Sequence, residues 1–194
     1  MKEQFNTAIS LFYPFGKEVI DSISAKLYVH KLSKHTLLLQ SNEICKKLYF
    51  IVSGLARGIY ISDDQEITSW LVKEGDFICS TYSFLNQRPS KEGIELLEDS
   101  ILVSLDYDEL NLLFEKYPIT NKIGIMITER YLLLFEEQVR SLRLVNIETR
   151  FKKFMEKYPE FYGRVPHKHI ASYLGTTPET ISRILKRKHH NYIY

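Results

Sequence analysis

A chain of 194 residues with 44% hydrophobic and 13% aromatic content can bury a packed core, as one large domain or two small ones. The formal net charge of +2 hides an asymmetry: from Arg140 onward 12 Lys/Arg stand against 4 Asp/Glu, leaving 14 against 20 before it. That is an acidic front joined to a rear suited to a polyanion. Cys45 and Cys79 are too few for a disulfide framework and lack metal-ligand spacing, and no leader or membrane-length apolar run occurs, so a cytoplasmic protein with no membrane partner is expected.

Residues 3–26 read as helical, with Phe5, Ile9 and Phe12, then Val19, Ile20 and Ile23 at helical spacing on either side of a Pro14–Gly16 break. From Leu27 to about Leu105 the pattern changes to short strands. The clearest are 37–39, 48–52, 56–61, 67–72, 94–97 and 101–105, punctuated by turns at Asn42, Ser53-Gly54, Asp63-Asp64, Gly75-Asp76 and Glu98-Asp99. Strands about ten residues apart suggest an antiparallel barrel or sandwich. Helices are expected at 80–87 and 108–115.

A long apolar-rich helix is expected over 119–144. Thr128, Leu132, Phe135, Val139 and Leu142 follow the alternating spacing of a coiled-coil seam, with Met126 and Leu133 widening the face. A helix of roughly 25 residues spans about 38 Å, longer than a small barrel needs, so this stripe is assigned to a homodimer interface. Asn146 can cap a further helix through Tyr158, with Phe151, Phe154 and Met155 facing inward.

The segment HKHIASYLGTTPETISRILKRKHH, from His167, has the pattern of two short helices around a tight turn. Ile170, Leu174, Ile181 and Ile184 supply crosswise apolar contacts, and Ala171 is small where the second helix must approach. Gly175 suits a left-handed stop, Thr176 or Thr177 can cap the next helix, and Pro178 fits its first turn. A polar, basic second helix in this arrangement is a helix-turn-helix suited to a DNA major groove. Glu179, Thr180 and Arg183 are the candidate base readers; His167, Lys168, Thr177, Ser182, Lys186 and Arg187 are the candidate phosphate contacts. A dimer of such heads prefers an inverted repeat with half-site centres about one helical turn apart, roughly 34–36 Å.

Barrel, long helix and helix-turn-helix, in that order, resemble the Crp/Fnr family of bacterial transcription regulators. LYFIVSGLARGIY (48–60), KEGDFI (73–78) and YLGTTPETISRIL (173–185) carry the resemblance. It implies an α+β protein: a cyclic-nucleotide-binding-like β jelly roll with flanking helices over 1–118, a dimerisation helix over 119–145 and a DNA-binding domain over 146–194. It further implies double-stranded DNA, a second copy of the chain and RNA polymerase as partners, and an effector pocket around Gly75, Asp76, Phe77, Arg88, Ser90 and Lys91. Two departures from the family pattern matter. Cyclic-nucleotide binders carry a Gly-Glu pair and a later Arg-Ser pair, whereas here Gly75-Asp76 and Ser90-Lys91 stand near those places. A lysine replaces an arginine fork only as a point charge, so cyclic AMP is disfavoured as the effector. The cysteine cluster of an iron–sulfur sensor and a heme-attachment motif are both missing, so neither cofactor is expected. Few residues follow the recognition helix, leaving little for the β-hairpin wing that many relatives carry.

Two rival readings stand beside this one. A cupin-type enzyme would need clustered His and Glu ligands on adjacent strands, and the barrel region offers only His30 and His35. No nucleophile elbow, phosphate loop or catalytic carboxylate pair stands out, so no enzyme activity, catalytic residue or metal site is expected. The second rival is a signalling module whose C-terminal helices bind protein instead of DNA.

Overall fold

The computed structural model describes residues 1–143 and 146–190, with side chains through Arg187. Two N-terminal helices, α1 (Lys2–Phe12) and α2 (Lys17–Ala25), precede eight strands: β1 (Tyr28–Leu32), β2 (Leu37–Leu39), β3 (Lys47–Ser53), β4 (Leu55–Ser62), β5 (Gln65–Lys73), β6 (Phe77–Ile78), β7 (Gly93–Leu96) and β8 (Ser100–Asp106). The helix α3 (Thr81–Asn86) joins β6 to β7. After the strands come α4 (Tyr107–Lys116), α5 (Asn121–Leu142), α6 (Ile147–Lys157), α7 (His167–Tyr173) and α8 (Pro178–His190). Leu144 and Val145, at the expected end of the long helix, and the residues after α8 where a wing was considered, lie outside the described residues.

The strands form two four-stranded sheets, ordered β1-β8-β3-β6 and β2-β7-β4-β5, the jelly-roll arrangement that was expected. Between them lies one apolar cluster, including Ile51, Ile94, Leu96 and Leu102. The opposite face of the first sheet is covered as well: Phe50, Phe77 and Val103 pack with Phe5 and Ile9 of α1, Leu113 of α4 and Ile123 of α5. Burial on both faces explains why 48–52 is a continuous apolar run and why 101–105 is apolar but for buried Ser104, which bonds His30. Phe5 meets Phe50 and Phe77 edge-on, with centroids 5.7 and 5.8 Å apart.

Turn chemistry follows from backbone need. Asp63 and Asp64 both take positive φ (49° and 60°) in the two-residue link from β4 to β5, the combination such a hairpin requires. Gly54 turns β3 into β4 at φ +122°, where an added Cβ would sit 2.6 Å from Ser100 Cβ. A hydroxyl can rotate aside, but a Cβ cannot. Gly54→Ala should therefore destabilise the protein toward the upper end of about 1–3 kcal/mol, read as a lowered melting temperature; an unchanged one would mean that the β3–β4 corner relaxes freely.

Two compact units result. One comprises Met1–Tyr60 and Trp70–Tyr131; the other comprises Ile61–Ser69 and the chain from Leu132 on. The cuts expected at 118/119 and 145/146 followed helix ends along the sequence. The units instead part within α5, because Ile123, Ile127 and Tyr131 join the apolar cluster beneath α1 and α4. The tip of the β4–β5 hairpin belongs with the second unit. There Thr68 N–H donates to Ser172 Oγ at 2.8 Å, and Gln138 Nε2 donates to Ser69 O at 2.7 Å.

Candidate nucleic-acid interface

In the second unit, Asn146 caps α6 by accepting from the N–H groups of Glu148 (2.8 Å) and Thr149 (3.2 Å). Phe151 and Phe154 of α6, Phe161 and Val165 form the floor on which α7 and α8 pack through Ile170, Ala171, Leu174, Ile181 and Ile184. Ala171 is fully buried, as expected where two helices cross closely. The stop of α7 has the Schellman pattern: Thr176 N–H donates to Ala171 O (2.9 Å), Gly175 N–H to Ser172 O (3.0 Å), and Gly175 takes φ +64°. Thr177 is the residue that caps α8, its Oγ1 accepting from Thr180 N–H at 3.3 Å.

This framework leaves one stripe of α8 facing solvent. Pro178, Glu179, Ser182, Arg183 and Lys186 line a common shallow surface, opposite buried Ile181 and Ile184. Glu179 has its pKa held below the usual carboxylate value by its own backbone N–H and the Thr177 hydroxyl. Among the described residues no ion pair joins it to Arg183, so the guanidinium is free to reach a partner. Thr180 is half-buried, and its hydroxyl lies 3.2 Å from that of Thr177. Arg187 pairs with Glu148 at 3.1 Å, and both side chains are exposed. His167, Lys168 and Thr177 are exposed on α7 and in the turn.

Along α5 the seam residues differ in exposure. Leu132 and Phe135 are each 63% exposed and Leu142 40%. Thr128 is exposed with its hydroxyl donating to Gly124 O, and Val139 is half-buried. Leu133, Ile125 and Met126 extend the exposed apolar surface. Leu132, Phe135 and Leu142 thus leave an exposed apolar row on α5.

The six residues grouped as an effector pocket differ in burial and in partners. Gly75 lies in the turn before β6, where its N–H donates to Ile51 O. Asp76 accepts from Lys73 N–H (3.1 Å) and pairs with Arg130 at 3.5 Å; burial pushes its pKa up against these contacts. Phe77 is a core residue whose N–H donates to Tyr131 Oη at 2.7 Å. Arg88 and Lys91 are exposed, while Ser90 is buried and its Oγ bonds Ser80 Oγ (2.8 Å) and Glu92 O (2.7 Å). The Ser80–Ser90 pair escaped sequence reasoning, although counting from the Gly75-Asp76 turn into α3 would have flagged Ser80. His30 and His35 also serve local contacts, bonding Ser104 Oγ and Glu95 Oε1, each at 2.8 Å. Among the described residues no cluster of three or more His, Cys, Asp or Glu could hold a metal, and no helix is long and apolar enough to cross a membrane.

Known proteins agree with this architecture. Residues 29–117 match the cyclic nucleotide-binding domain family. The chain is 29% identical over 169 residues to the fumarate and nitrate reduction regulatory protein of Vibrio cholerae, covering 80% of this chain and 66% of that one. It thus spans just under two thirds of the length of such relatives. Among solved structures, FixK2 from Bradyrhizobium japonicum matches with a TM-score of 0.74 at 18% identity, covering 86% of each chain. A transcriptional regulator of the Crp/Fnr family from Eubacterium rectale matches with a TM-score of 0.70 at 20% identity, covering 93% of this chain and 88% of that one. The Vibrio cholerae and Eubacterium rectale proteins are named as regulators.

Proposed function

We propose that this chain, whose residues 29–117 belong to the cyclic nucleotide-binding domain family and whose relatives include the Crp/Fnr regulators, is a sequence-specific DNA-binding transcription regulator acting as a homodimer. The observation that carries the reading is the solvent-facing stripe Glu179–Ser182–Arg183–Lys186 on a helix whose other side is anchored by Ile181 and Ile184. Residues near the start of such a helix reach the groove floor, while those toward its end and on the preceding helix lie beside the backbone. Arg183 can bond guanine O6 and N7 together, and Glu179 can accept from cytosine N4. The exposed seam on α5 supports pairing of two heads on an inverted repeat. Cyclic AMP is not assigned as the effector: the buried hydroxyl of Ser90 is already bonded, and Arg88 and Lys91 are exposed rather than arranged around it.

Titration of duplex DNA against salt, with genome-wide mapping of bound sites supplying the operator, tests this. Affinity should fall steeply with salt as counterions are released. Arg183→Ala should cost about 1–3 kcal/mol on the operator and relax one base preference per half-site. Lys186→Ala should weaken all sequences alike and flatten the salt slope by about one unit. If Arg183→Ala weakened operator and random DNA equally, Arg183 would join the phosphate contacts. Absence of salt-sensitive duplex binding would favour a protein partner for these helices.

A further inference from the structure

We propose that a cavity beneath α1, distinct from the Ser80–Ser90 pair, is the effector site and takes an uncharged apolar small molecule; this rests on the regulator reading above. The cavity lies within the first unit and measures about 490 Å³, in the size range of small-molecule sites. Its walls are Phe5 of α1, Phe77 of β6, Phe84 of α3, Leu110 and Leu113 of α4, and Ile123 of α5. Five elements contribute these large side chains, so the space is a product of how they pack.

The polar groups at its edge decide the ligand's chemistry, because most are already bonded to the protein. Thr120 Oγ1 donates to Tyr117 O (2.6 Å), Asn121 Nδ2 to Pro118 O (3.1 Å) and Thr128 Oγ1 to Gly124 O (2.7 Å). Tyr131 Oη accepts from Phe77 N–H. Burial pushes the Cys79 thiol up to about 12, so it stays protonated. Water needs two to four polar partners to settle in such a space, and an apolar guest needs none. No lysine or arginine is among the lining residues, and the one charged side chain there is Glu129. An anion would therefore find no counter-charge and would meet a carboxylate, which excludes phosphates and fatty acids alike. The guest would touch Thr128, the first residue of the α5 seam, and Leu85 on the exposed side of α3. Occupancy thus acts on the same helix that carries the pairing stripe.

Two fluorescent probes of one scaffold separate the possibilities: uncharged N-phenylnaphthylamine and its sulfonated analogue anilinonaphthalenesulfonate. The whole chain should bind the neutral probe at one saturable site, with the sulfonate about tenfold weaker or worse. Glu129→Lys should bring the two within a few fold. Leu113→Trp, checked for fold by circular dichroism, and the surface change Leu85→Asp should each weaken the neutral probe. Bound probe should shift operator affinity by about fivefold or more. The proposal fails if no saturable site exists, if the sulfonate binds as well, or if operator affinity is indifferent to the probe. It fails too if the probe binds only after Leu132→Glu and Phe135→Glu make the protein monomeric, since a second copy would then be the occupant. Duplex binding absent at every salt concentration, with the neutral probe still bound, would overturn the regulator reading and leave the site standing.

Discussion

Leu132→Glu combined with Phe135→Glu should yield a protein that sediments as a single 22.9 kDa chain and binds an inverted-repeat operator about 10²–10⁴-fold more weakly. Both side chains are 63% exposed in the isolated chain, so their replacement removes little from the core of one protomer, and exposed substitutions of this kind usually fall within about 0.5 kcal/mol. Across a paired seam the effect is different. Each helix would lose two apolar contacts and face two carboxylates of its twin at close range. The loss at the operator is then one of effective concentration: each head must find its half-site alone. Binding to a single half-site should barely change, and that contrast separates lost pairing from damage to α8. Dimers that persist undiminished would remove α5 as the interface.

Arg57→Ala should have the largest effect on folding itself. Arg57 on β4 donates from Nε to Glu95 Oε2 on β7 at 2.7 Å, and the two side chains are 5% and 12% exposed. Removing the arginine leaves a poorly solvated carboxylate with the exposed His35 as its remaining described partner, a situation that typically costs about 3–5 kcal/mol. For a chain of this size that lowers the melting temperature by roughly 10 °C or more. Arg57→Met with Glu95→Leu should be milder, since the Glu95 carboxylate is no longer stranded. The pH dependence has a definite sign. Burial raises the pKa of Glu95, but the bonds from His35 and Arg57 outweigh it and hold the group below its ordinary 4.5. A carboxylate depressed on folding contributes stability above that value and loses it as pH falls through the folded pKa. The gap between wild type and Arg57→Ala should accordingly be widest near neutrality and narrow below about pH 4.5. A gap constant with pH would mean that the arginine acts through packing alone.

How much of this was legible in the sequence depended on how far apart the interacting residues lie. The α7–α8 turn was read correctly because its determinants are local: Gly175 for the left-handed stop, Thr177 for the cap, Ala171 for the crossing. Asn146 was likewise visible as a cap before α6, and the α5 stripe as a heptad pattern. Strand β1 was not singled out, since its pairing with β8 joins Tyr28 to Ser104 and depends on a partner more than seventy residues away. The Arg57–Glu95 pair was invisible for a related reason: an arginine in a strand carries no mark of what the neighbouring strand presents. The grouping of Gly75–Phe77 with Ser90–Lys91 rested on nearness along a cassette, which says nothing about partners such as Arg130 for the Asp76 carboxylate or Tyr131 for the Phe77 N–H.

The assignment of Ile61–Ser69 to the second unit bears on how this protein can be taken apart. A protease cut or a gene truncation just before Leu132 would release α6, α7 and α8 without the hairpin tip that supplies Thr68 N–H to Ser172 and Ser69 O to Gln138. The set of C-terminal helices is therefore not a cassette that recombination can lift out by a single join. A chimera that exchanges these helices between two such chains must carry the tip of the β4–β5 hairpin along with them to keep the bonds from Thr68 to Ser172 and from Gln138 to Ser69.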